Sequence, residues 1–233
     1  MRLKVLCCEV FYREICSLIA TTPHQCDVEF LPKGLHDLGS EKMSARLQEV
    51  LDAVDPERYD AVAMVYGLCN NGTVGVRAPG LKLVIPKVHD CIALFMGSRS
   101  RYREYFDAHP GTYYRTSGWL ERDDASSAGD TTIPQQLGMT TTYDQLVEQY
   151  GEENAKYVME MMGGGEQHYD RVTFIRMGLA GEERFREQAK AESERRQWQF
   201  EELEGDMSML RKLVYAEWDD DFLVLNPGEA LTP

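Results

Sequence analysis

The sequence lacks the signals of several large functional classes. Lys and Arg total 25 against 39 for Asp and Glu, so the chain of 233 residues has a net charge of −14. Proteins that bind nucleic acid need surplus positive charge for their phosphate contacts, and here the surplus is negative. No apolar run reaches the roughly 20 residues that cross a bilayer, and the first residues show no cleavage pattern of a signal peptide. We therefore expect a cytoplasmic protein that binds neither nucleic acid nor membrane.

Two nucleotide-binding fingerprints are missing as well. The sequence has neither a Walker motif nor a G-x-G-x-x-G turn, so a nicotinamide or ATP site is unsupported. The turn from Gly67 to Gly72 is rich in residues that tolerate a positive φ, but it does not match either fingerprint. The six cysteines of a cytoplasmic chain are expected to be thiols, ligands or nucleophiles rather than disulfides.

Segments typical of strands and helices alternate along the chain. This alternation predicts an α/β, Rossmann-like fold: a mostly parallel sheet with helices on both faces. The strand-like segments are residues 3–7, 28–32, 61–66, 81–86, 111–114, 171–175, 199–203 and 222–225. The helical segments are residues 9–19, 37–54, 91–96, 143–162, 182–198 and 208–214. The helix at 91–96 is expected to continue over residues 100–106.

A change in composition predicts a division into two lobes. Residues 121–138 are polar and contain Asp, Ser, Gly and Thr pairs, as in a long loop or a mobile lid. Residues 1–120 form the expected N-terminal lobe, which holds the first five strands and the candidate site. Residues 139–233 form the expected C-terminal lobe, which holds three strands and completes the cleft.

Three cysteines follow three different strands of the predicted sheet. Cys8 follows the first strand, Cys69 the third, and Cys91 the fourth, where His89 stands two positions before it. Ligands bind beyond the carboxyl ends of parallel strands, so we expect these side chains to meet at one edge of the sheet. Because Cys7 is adjacent, either Cys7 or Cys8 could be the site residue that the first strand supplies, and we prefer Cys8. By the same argument, Cys16 within a helix and Cys26 before a strand lie away from that edge.

The chemistry of this set allows more than one interpretation. Thiolates with an imidazole are typical zinc ligands, and three thiolates also suit an iron–sulfur cluster, so Cys8, Cys69, His89 and Cys91 are the predicted metal ligands. A thiol near a helix N-terminus is equally suited to be a nucleophile. Free cysteine is also often a buried space-filling residue, which is the simplest alternative.

Polar residues near these positions complete the predicted site. Glu9 and Asp90 are the predicted catalytic residues, which would move a proton. The predicted substrate-binding residues are amides of the Gly-rich turn and guanidiniums that would clamp an anion: Asn70, Asn71, Arg99 and Arg101.

Three blocks of sequence resemble a family of proteins of unknown function, DUF1638. They are YGLCNNGTVGV at 66–76, LVIPKVHDCIALFMGSRSRY at 83–102 and FDAHPGTYYRTSGW at 106–119, joined by the early CCE and the late VTFIRMGL and ELEGD segments. The resemblance carries no activity. It implies that Cys8, Cys69, His89 and Cys91 lie in family motifs. It also implies a setting in anaerobic or one-carbon metabolism, with a corrinoid protein or a methyltransferase as a partner.

These observations lead to one leading hypothesis and two alternatives. The leading hypothesis is a metal-dependent enzyme, with zinc or a [4Fe-4S] cluster, that acts on a small thiol, methyl-bearing or acidic substrate. Zinc enzymes that methylate thiols use a similar His-x-Cys pair with a distant Cys, although on another fold. The first alternative is a metal or corrinoid accessory protein without catalysis. The second is a metal-free enzyme with Cys69 or Cys91 as nucleophile and His89 as base.

Overall fold

The computed structural model describes residues 1–69, 71–122 and 169–232 of the chain. Three predictions concern residues outside these ranges: most of the polar segment 121–138, the helix over 143–162, and the role of Asn70. None of the helices within the described ranges is long and apolar enough to span a bilayer.

Eight strands and seven α-helices make up the described part of the chain. The strands are β1 (Arg2–Cys8), β2 (Gln25–Leu31), β3 (Ala61–Val65), β4 (Lys82–Pro86), β5 (Thr112–Arg115), β6 (Arg171–Arg176), β7 (Gln199–Glu204) and β8 (Phe222–Leu225). The helices are α1 (Tyr12–Ile19), α2 (Ser40–Asp52), α3 (Cys91–Phe95), α4 (Arg99–Ala108), α5 (Ser117–Glu121), α6 (Glu183–Arg196) and α7 (Ser208–Val214). Short 3-10 helices cover Glu9–Phe11 and Lys33–Leu38.

The strands form two sheets. The larger has the order β2-β1-β3-β4-β8, in which β1 to β4 are parallel and β8 pairs antiparallel with β4. The smaller has the order β5-β6-β7 and is parallel throughout. The prediction of an α/β fold with a mostly parallel sheet is confirmed. Parallel neighbours require crossover connections, which the intervening helices supply.

Both faces of the larger sheet are covered. All five residues of β3 are buried, as expected for a central strand with helices on both sides. Side chains of β1 alternate between two apolar clusters: Leu3 and Val5 pack with α1 and α7, and Leu6 packs with α2. The same alternation separates the two adjacent cysteines, because Cys7 is fully buried on the α1 side whereas Cys8 also contacts the α2 side.

The strands of the two predicted lobes do not correspond to the strands of the two sheets. β5 precedes residue 121 but pairs with β6 of the smaller sheet, and β8 lies near the C-terminus but pairs with β4 of the larger sheet. The last part of the chain therefore returns to close one edge of the larger sheet. Strand order depends on which edges are free in three dimensions, and position along the chain does not show this.

Some helices begin or end at other residues than predicted, because a glycine or a capping side chain sets the boundary. α2 begins at Ser40, because Gly39 adopts a φ of 83° just before it. The predicted continuation of α3 is a separate helix, since Gly97 at a φ of 67° ends one helix and the Ser98 side chain caps the next. Cys26 lies inside β2 rather than before it, and α5 had no counterpart in the sequence prediction.

Candidate functional site

A cavity of about 250 Å³ lies at the carboxyl ends of four adjacent parallel strands. Cys8, Cys69 and Cys91 line it; Cys8 is the last residue of β1, and the other two follow β3 and β4. The structure thus brings together the three cysteines that the strand-end argument singled out. Of the residues that the structure describes, neither Cys16 on α1 nor Cys26 on β2 lines this cavity.

Two loops are joined so that Cys69 lies beside Cys91. The amide of Leu68 donates to the carbonyl of Val88 over 3.0 Å, and the amide of Cys69 donates to the carbonyl of His89 over 2.9 Å. Gly67 allows this approach, because a Cβ atom there would lie 2.9 Å from the Cα and the amide nitrogen of Asp90. Any larger residue at position 67 would push the two cysteine loops apart.

The loop after β3 closes back on itself just past the cysteine. Cys69 has a φ of 45°, a left-handed conformation that is rare outside glycine. Its carbonyl accepts a hydrogen bond from the amide of Gly72 over 3.0 Å, and the hydroxyl of Thr73 donates to the carbonyl of Gly67 over 3.2 Å. The positive φ predicted for this turn is thus adopted by Cys69 itself and by Asn71, which has a φ of 64°.

The three thiols share a low-polarity environment that disfavours their charged form. Burial raises the pKa of Cys8 to about 12 and that of Cys69 to about 11. Burial also raises the pKa of Cys91 well above its ordinary value, and the neighbouring Cys69 and Cys8 raise it further. Cys69 also adds to the rise in the pKa of Cys8, and all three thiols line the same cavity. In the absence of a bound cation they are therefore protonated at neutral pH.

The thiols are not already arranged as a closed ligand set. Within residues 1–69, 71–122 and 169–232, no group of three or more His, Cys, Asp or Glu side chains has the geometry to hold a metal ion. Binding of a single ion therefore requires the cysteine side chains to reorient, which is common where metal binding completes a site. The location of Cys8, Cys69 and Cys91 agrees with the sequence argument, and their ligand role stays a prediction.

Trp119 reaches the cavity from the smaller sheet. It belongs to α5, whose first turn is capped by Thr116, and the pKa of Cys91, which burial raises, is lowered in part by the nearby Trp119. α5 lies directly against the chain after β1, since a Cβ atom on Gly118 would lie 1.6 Å from the carbonyl oxygen of Val10. Gly118 therefore permits the contact that brings the Trp119 side chain to the cavity.

Lys33 enters the cavity from the end of β2. Its backbone amide donates to the Glu9 carboxylate over 2.9 Å, and its side chain is buried, with only 6% of the residue exposed. The ammonium lies 5.3 Å from the centre of the Trp119 ring and 3.4 Å from the Trp119 carbonyl oxygen. Its positive charge lowers the pKa of Cys8 in opposition to burial.

Both predicted proton carriers have structural partners. The Asp90 carboxylate accepts hydrogen bonds from the amides of Ile92 and Ala93, so it is the N-cap of α3, and it also accepts one from the Tyr102 hydroxyl over 2.8 Å. The Glu9 carboxylate holds the Lys33 amide, as described above. Asp90 and Glu9 both lie beside the cavity thiols, and the hydrogen bonds that their carboxylates accept hold the neighbouring loops in place.

His89 and Asn71 lie toward solvent. The imidazole of His89 has 72% of its side chain exposed and lies 3.4 Å from the Asp90 carboxylate, at the mouth of the cavity. Asn71 is exposed. His89 can therefore reach a metal in the cavity only by turning inward, whereas the cysteines already lie inside.

The two arginines predicted to bind substrate lie elsewhere. Arg99 lines a different, shallow pocket and pairs with Asp221 over 3.6 Å. The Arg101 guanidinium donates to the carbonyls of Met96 and Glu204, which ties α4 to β7. Neither is among the described residues that line the cysteine cavity, so we do not include them in the site.

Sequence reasoning missed three residues that bring a charged or hydrogen-bonding side chain to the cavity: Lys33, Tyr66 and Trp119. Lys33 follows the second strand, so the strand-end argument would have found it had that strand been included. Tyr66 was taken as the last residue of a buried strand, and it is indeed buried, but it lines the cavity. Trp119 ends the sequence block at 106–119, but no local pattern placed it in the site, because the packing of α5 against the chain after β1 brings it there.

Comparison with known proteins identifies a family and nothing more. Residues 30–214 match the family model described as Protein of unknown function (DUF1638). This range includes Lys33, Tyr66, Cys69 and Cys91, whereas Cys8 precedes it. Neither a curated protein nor a solved structure matches the chain. Since the model covers well over half of the chain, the protein belongs to the DUF1638 family of proteins of unknown function.

Proposed function

We propose that this chain is a metalloprotein, in which Cys8, Cys69 and Cys91 hold a zinc ion or an iron–sulfur cluster. The observation that carries the proposal is the convergence of three thiols, from the ends of three different strands, on one cavity at the carboxyl edge of the sheet. Thiolates are the ligands that zinc and iron–sulfur clusters prefer. His89 at the mouth of the cavity is the candidate for a fourth ligand.

The raised thiol pKa values support a metal over a free nucleophile. A nucleophilic cysteine needs a lowered pKa, and the positions that lower it are electropositive and partly open to solvent. Here burial raises the pKa of all three thiols, to about 12 for Cys8 and about 11 for Cys69. A bound metal cation reverses this balance, because a coordinating thiol loses its proton outright. The metal-free enzyme is therefore the weaker alternative.

The surrounding residues suit an enzyme that acts on a small substrate. Apolar side chains of Phe11, Leu35 and Met43 line the cavity with the thiols, and charges in such an apolar environment interact more strongly than in water. A metal with one open position supplies a Lewis acid that keeps a substrate thiol reactive. Three protein thiolates leave such a position open, as in catalytic zinc sites, as long as His89 stays turned toward solvent and does not act as the fourth ligand. We therefore propose a small thiol, methyl-bearing or acidic substrate, in keeping with the one-carbon setting that the resemblance implies.

Metal analysis of protein purified without oxygen tests this proposal. We expect metal bound in stoichiometric amount, either colourless zinc or iron with acid-labile sulfide and broad visible absorption. Cys8→Ala, Cys69→Ala and Cys91→Ala should each lose most of it, since every one removes a thiolate ligand.

Two other cysteines provide matched controls. Cys16→Ala and Cys26→Ala make the same chemical change outside the cavity and should keep the metal. Each variant must show a cooperative thermal unfolding transition, so that loss of metal is not loss of fold. Metal-free wild-type protein, or loss of metal in Cys16→Ala but not in Cys91→Ala, contradicts the proposal.

A further inference from the structure

Apart from the three thiols, the cysteine cavity is lined mostly by apolar side chains. Phe11, Leu35 and Met43 form an apolar wall that three different elements supply. Phe11 ends the 3-10 helix after β1, Leu35 lies in the 3-10 helix after β2, and Met43 lies on α2. None of the three is more than 8% exposed. A ligand that enters this cavity therefore exchanges water for apolar contacts, which favours the burial of hydrocarbon.

Two side chains of the apolar wall are held in position by close packing. The Phe11 ring stacks on the Phe95 ring, with the ring centres 4.3 Å apart. The Met43 sulfur lies against Gly72, where a Cβ atom would overlap it and would lie 3.0 Å from the Cys69 carbonyl oxygen. Gly72 therefore lets α2 bring Met43 up to the loop that carries Cys69. Because the wall is already packed, a ligand that matches it binds without the cost of ordering these side chains.

The charged groups at the cavity are engaged by the protein itself. The Lys33 ammonium lies 3.4 Å from the carbonyl oxygen of Trp119 and 5.3 Å from the centre of its ring. The Asp90 carboxylate caps α3 and accepts a hydrogen bond from the Tyr102 hydroxyl over 2.8 Å. His89 is turned toward solvent, with 72% of its side chain exposed. A charged ligand would have to displace such contacts or stay unpaired in an apolar site, and either costs binding free energy.

We propose that the cysteine cavity selects a neutral alkyl thiol, whose sulfur lies at the three cysteines and whose methyl-terminated chain packs on the apolar wall. This rests on the proposed function for the placement of the sulfur at the metal. It narrows the substrate classes named above to one, and it makes Leu35 and Met43 residues that determine specificity. The cavity volume of about 250 Å³ limits the chain to a few carbon atoms.

Three thiols of nearly equal size test the proposal by isothermal titration calorimetry. Propanethiol ends in a methyl group, cysteamine in an ammonium group and mercaptoacetate in a carboxylate. We expect propanethiol to bind protein purified without oxygen at least about 10-fold more tightly than either charged thiol, because an unpaired charge in an apolar site is costly. Coordination to a metal would by itself favour cysteamine, whose thiol is the more acidic. Equal or tighter binding of a charged thiol, or no binding of propanethiol, overturns the proposal.

Met43→Gln locates the selectivity. The change keeps the length of the side chain and places an amide in the apolar wall. It should weaken the binding of propanethiol about 10-fold, with little change for cysteamine. Met43→Leu keeps the wall apolar and should retain the wild-type preference for propanethiol. An unchanged preference in Met43→Gln contradicts the proposal.

Leu47→Gln is the matched control for a loss of fold. Leu47 is fully buried on the same helix as Met43, but it is not among the described residues that line the cavity. Both Gln variants should have a lower melting temperature than the wild type, whereas only Met43→Gln should lose the preference for propanethiol. Loss of the preference in Leu47→Gln as well would overturn the role of Met43 in specificity. Should Met43→Gln fail to fold, Leu35→Gln repeats the test from another element of the wall.

Metal content measured on the same samples distinguishes this inference from the proposed function. A preference for propanethiol in protein that holds no metal leaves the selectivity of the cavity standing and removes the proposed metal function. Bound metal without a preference for propanethiol does the reverse.

Discussion

Glu14 on α1 is a fully buried carboxyl group, and neither of its oxygens has a hydrogen-bond partner among the described residues. Burial raises its pKa to about 7, and the carboxylates of Glu182 and Glu121 add to the rise, whereas Arg13 opposes it. The Cys7 thiol is a further neighbour, since Glu14 raises its pKa in turn. Below about pH 7 this site is therefore a neutral acid within the core.

The raised pKa of Glu14 predicts that stability falls as the pH rises. Below the unfolded pKa of about 4.3 the group is protonated in both states and has no effect. Between that value and about 7 only the unfolded state loses the proton, which favours unfolding. The full penalty, about 4 kcal/mol at most, is present above the folded pKa. Glu14→Gln should abolish this part of the pH dependence, as measured by urea unfolding at pH 5 and pH 8.

Glu41→Gln is the control for this experiment, because Glu41 is exposed on α2. It should leave the difference in unfolding free energy between the two pH values unchanged. An equal difference in wild type and Glu14→Gln contradicts the raised pKa.

At the scale of single elements, the site depends on short helices with specific caps. α3 has five residues and starts at Cys91, and the Asp90 carboxylate accepts the amides of its first turn. α5 also has five residues and is seated on the chain after β1 through Gly118. Helices this short are not stable alone, so tertiary contacts and caps hold them. Small changes at these contacts should therefore move Cys91 and Trp119.

Substitutions at Asp90 separate capping from proton transfer. Asp90→Ala should lower the unfolding free energy by about 1 kcal/mol, the usual loss for an N-cap, because two amides of α3 lose their acceptor. Asp90→Asn keeps a capping oxygen and should retain most of the stability. Chemical denaturation measures both. If Asp90→Asn keeps metal content and stability but loses turnover of an identified substrate, the carboxylate moves a proton as the sequence analysis suggested.

Gly118→Ala tests the close packing of α5 against the chain after β1. The added Cβ would lie 1.6 Å from the Val10 carbonyl oxygen, so α5 must move away from the 3-10 helix that follows β1. We expect a loss of about 3 kcal/mol of unfolding free energy, the upper range for overpacking. The intrinsic fluorescence of the protein should also change, because Trp119 leaves the cavity. Gly34→Ala, where no atom lies within 4 Å of the new Cβ, is the control and should be silent in both measurements.

The whole molecule is held together by contacts between distant parts of the chain. The Arg13 guanidinium makes two hydrogen bonds to the Glu121 carboxylate, over 2.7 and 2.6 Å, and so links α1 to α5. β8 completes the larger sheet beside β4, with Phe222 and Leu225 buried in its core. Residues beyond the range that matches the family model are therefore part of the same sheet.

Truncation should show that the C-terminal strand is required. Removal of residues 221–233 deletes β8 and leaves β4 as an edge strand, with buried Leu83 and Ile85 newly exposed to water. We expect loss of the cooperative unfolding transition, or aggregation, in calorimetry and size-exclusion chromatography. Removal of residues 232–233 alone should have no such effect. A truncated chain that stays monomeric and unfolds cooperatively would show that β8 is dispensable.

Much of the fold was predictable because local patterns are strong here. The alternation of apolar strands with amphipathic helices predicted all eight described strands within a few residues. Gly39 and Gly97 moved boundaries because their positive φ values stop or separate helices, an effect that apolar periodicity does not show. α5 escaped prediction because five residues are too few for a periodic signal.

The sequence by itself determined the α/β class and the delivery of Cys8, Cys69 and Cys91 to one edge, since parallel strands that alternate with helices must all end there. Only the tertiary structure decided which other groups share that edge. Trp119 arrives through the packing of α5 against the chain after β1, β8 joins the larger sheet from the far end of the chain, and Arg101 is engaged by carbonyls of Met96 and Glu204. The physical reason is that strand order and helix seating depend on close contacts between residues distant in the chain. A local pattern records the structure of its own segment and carries no information about such partners.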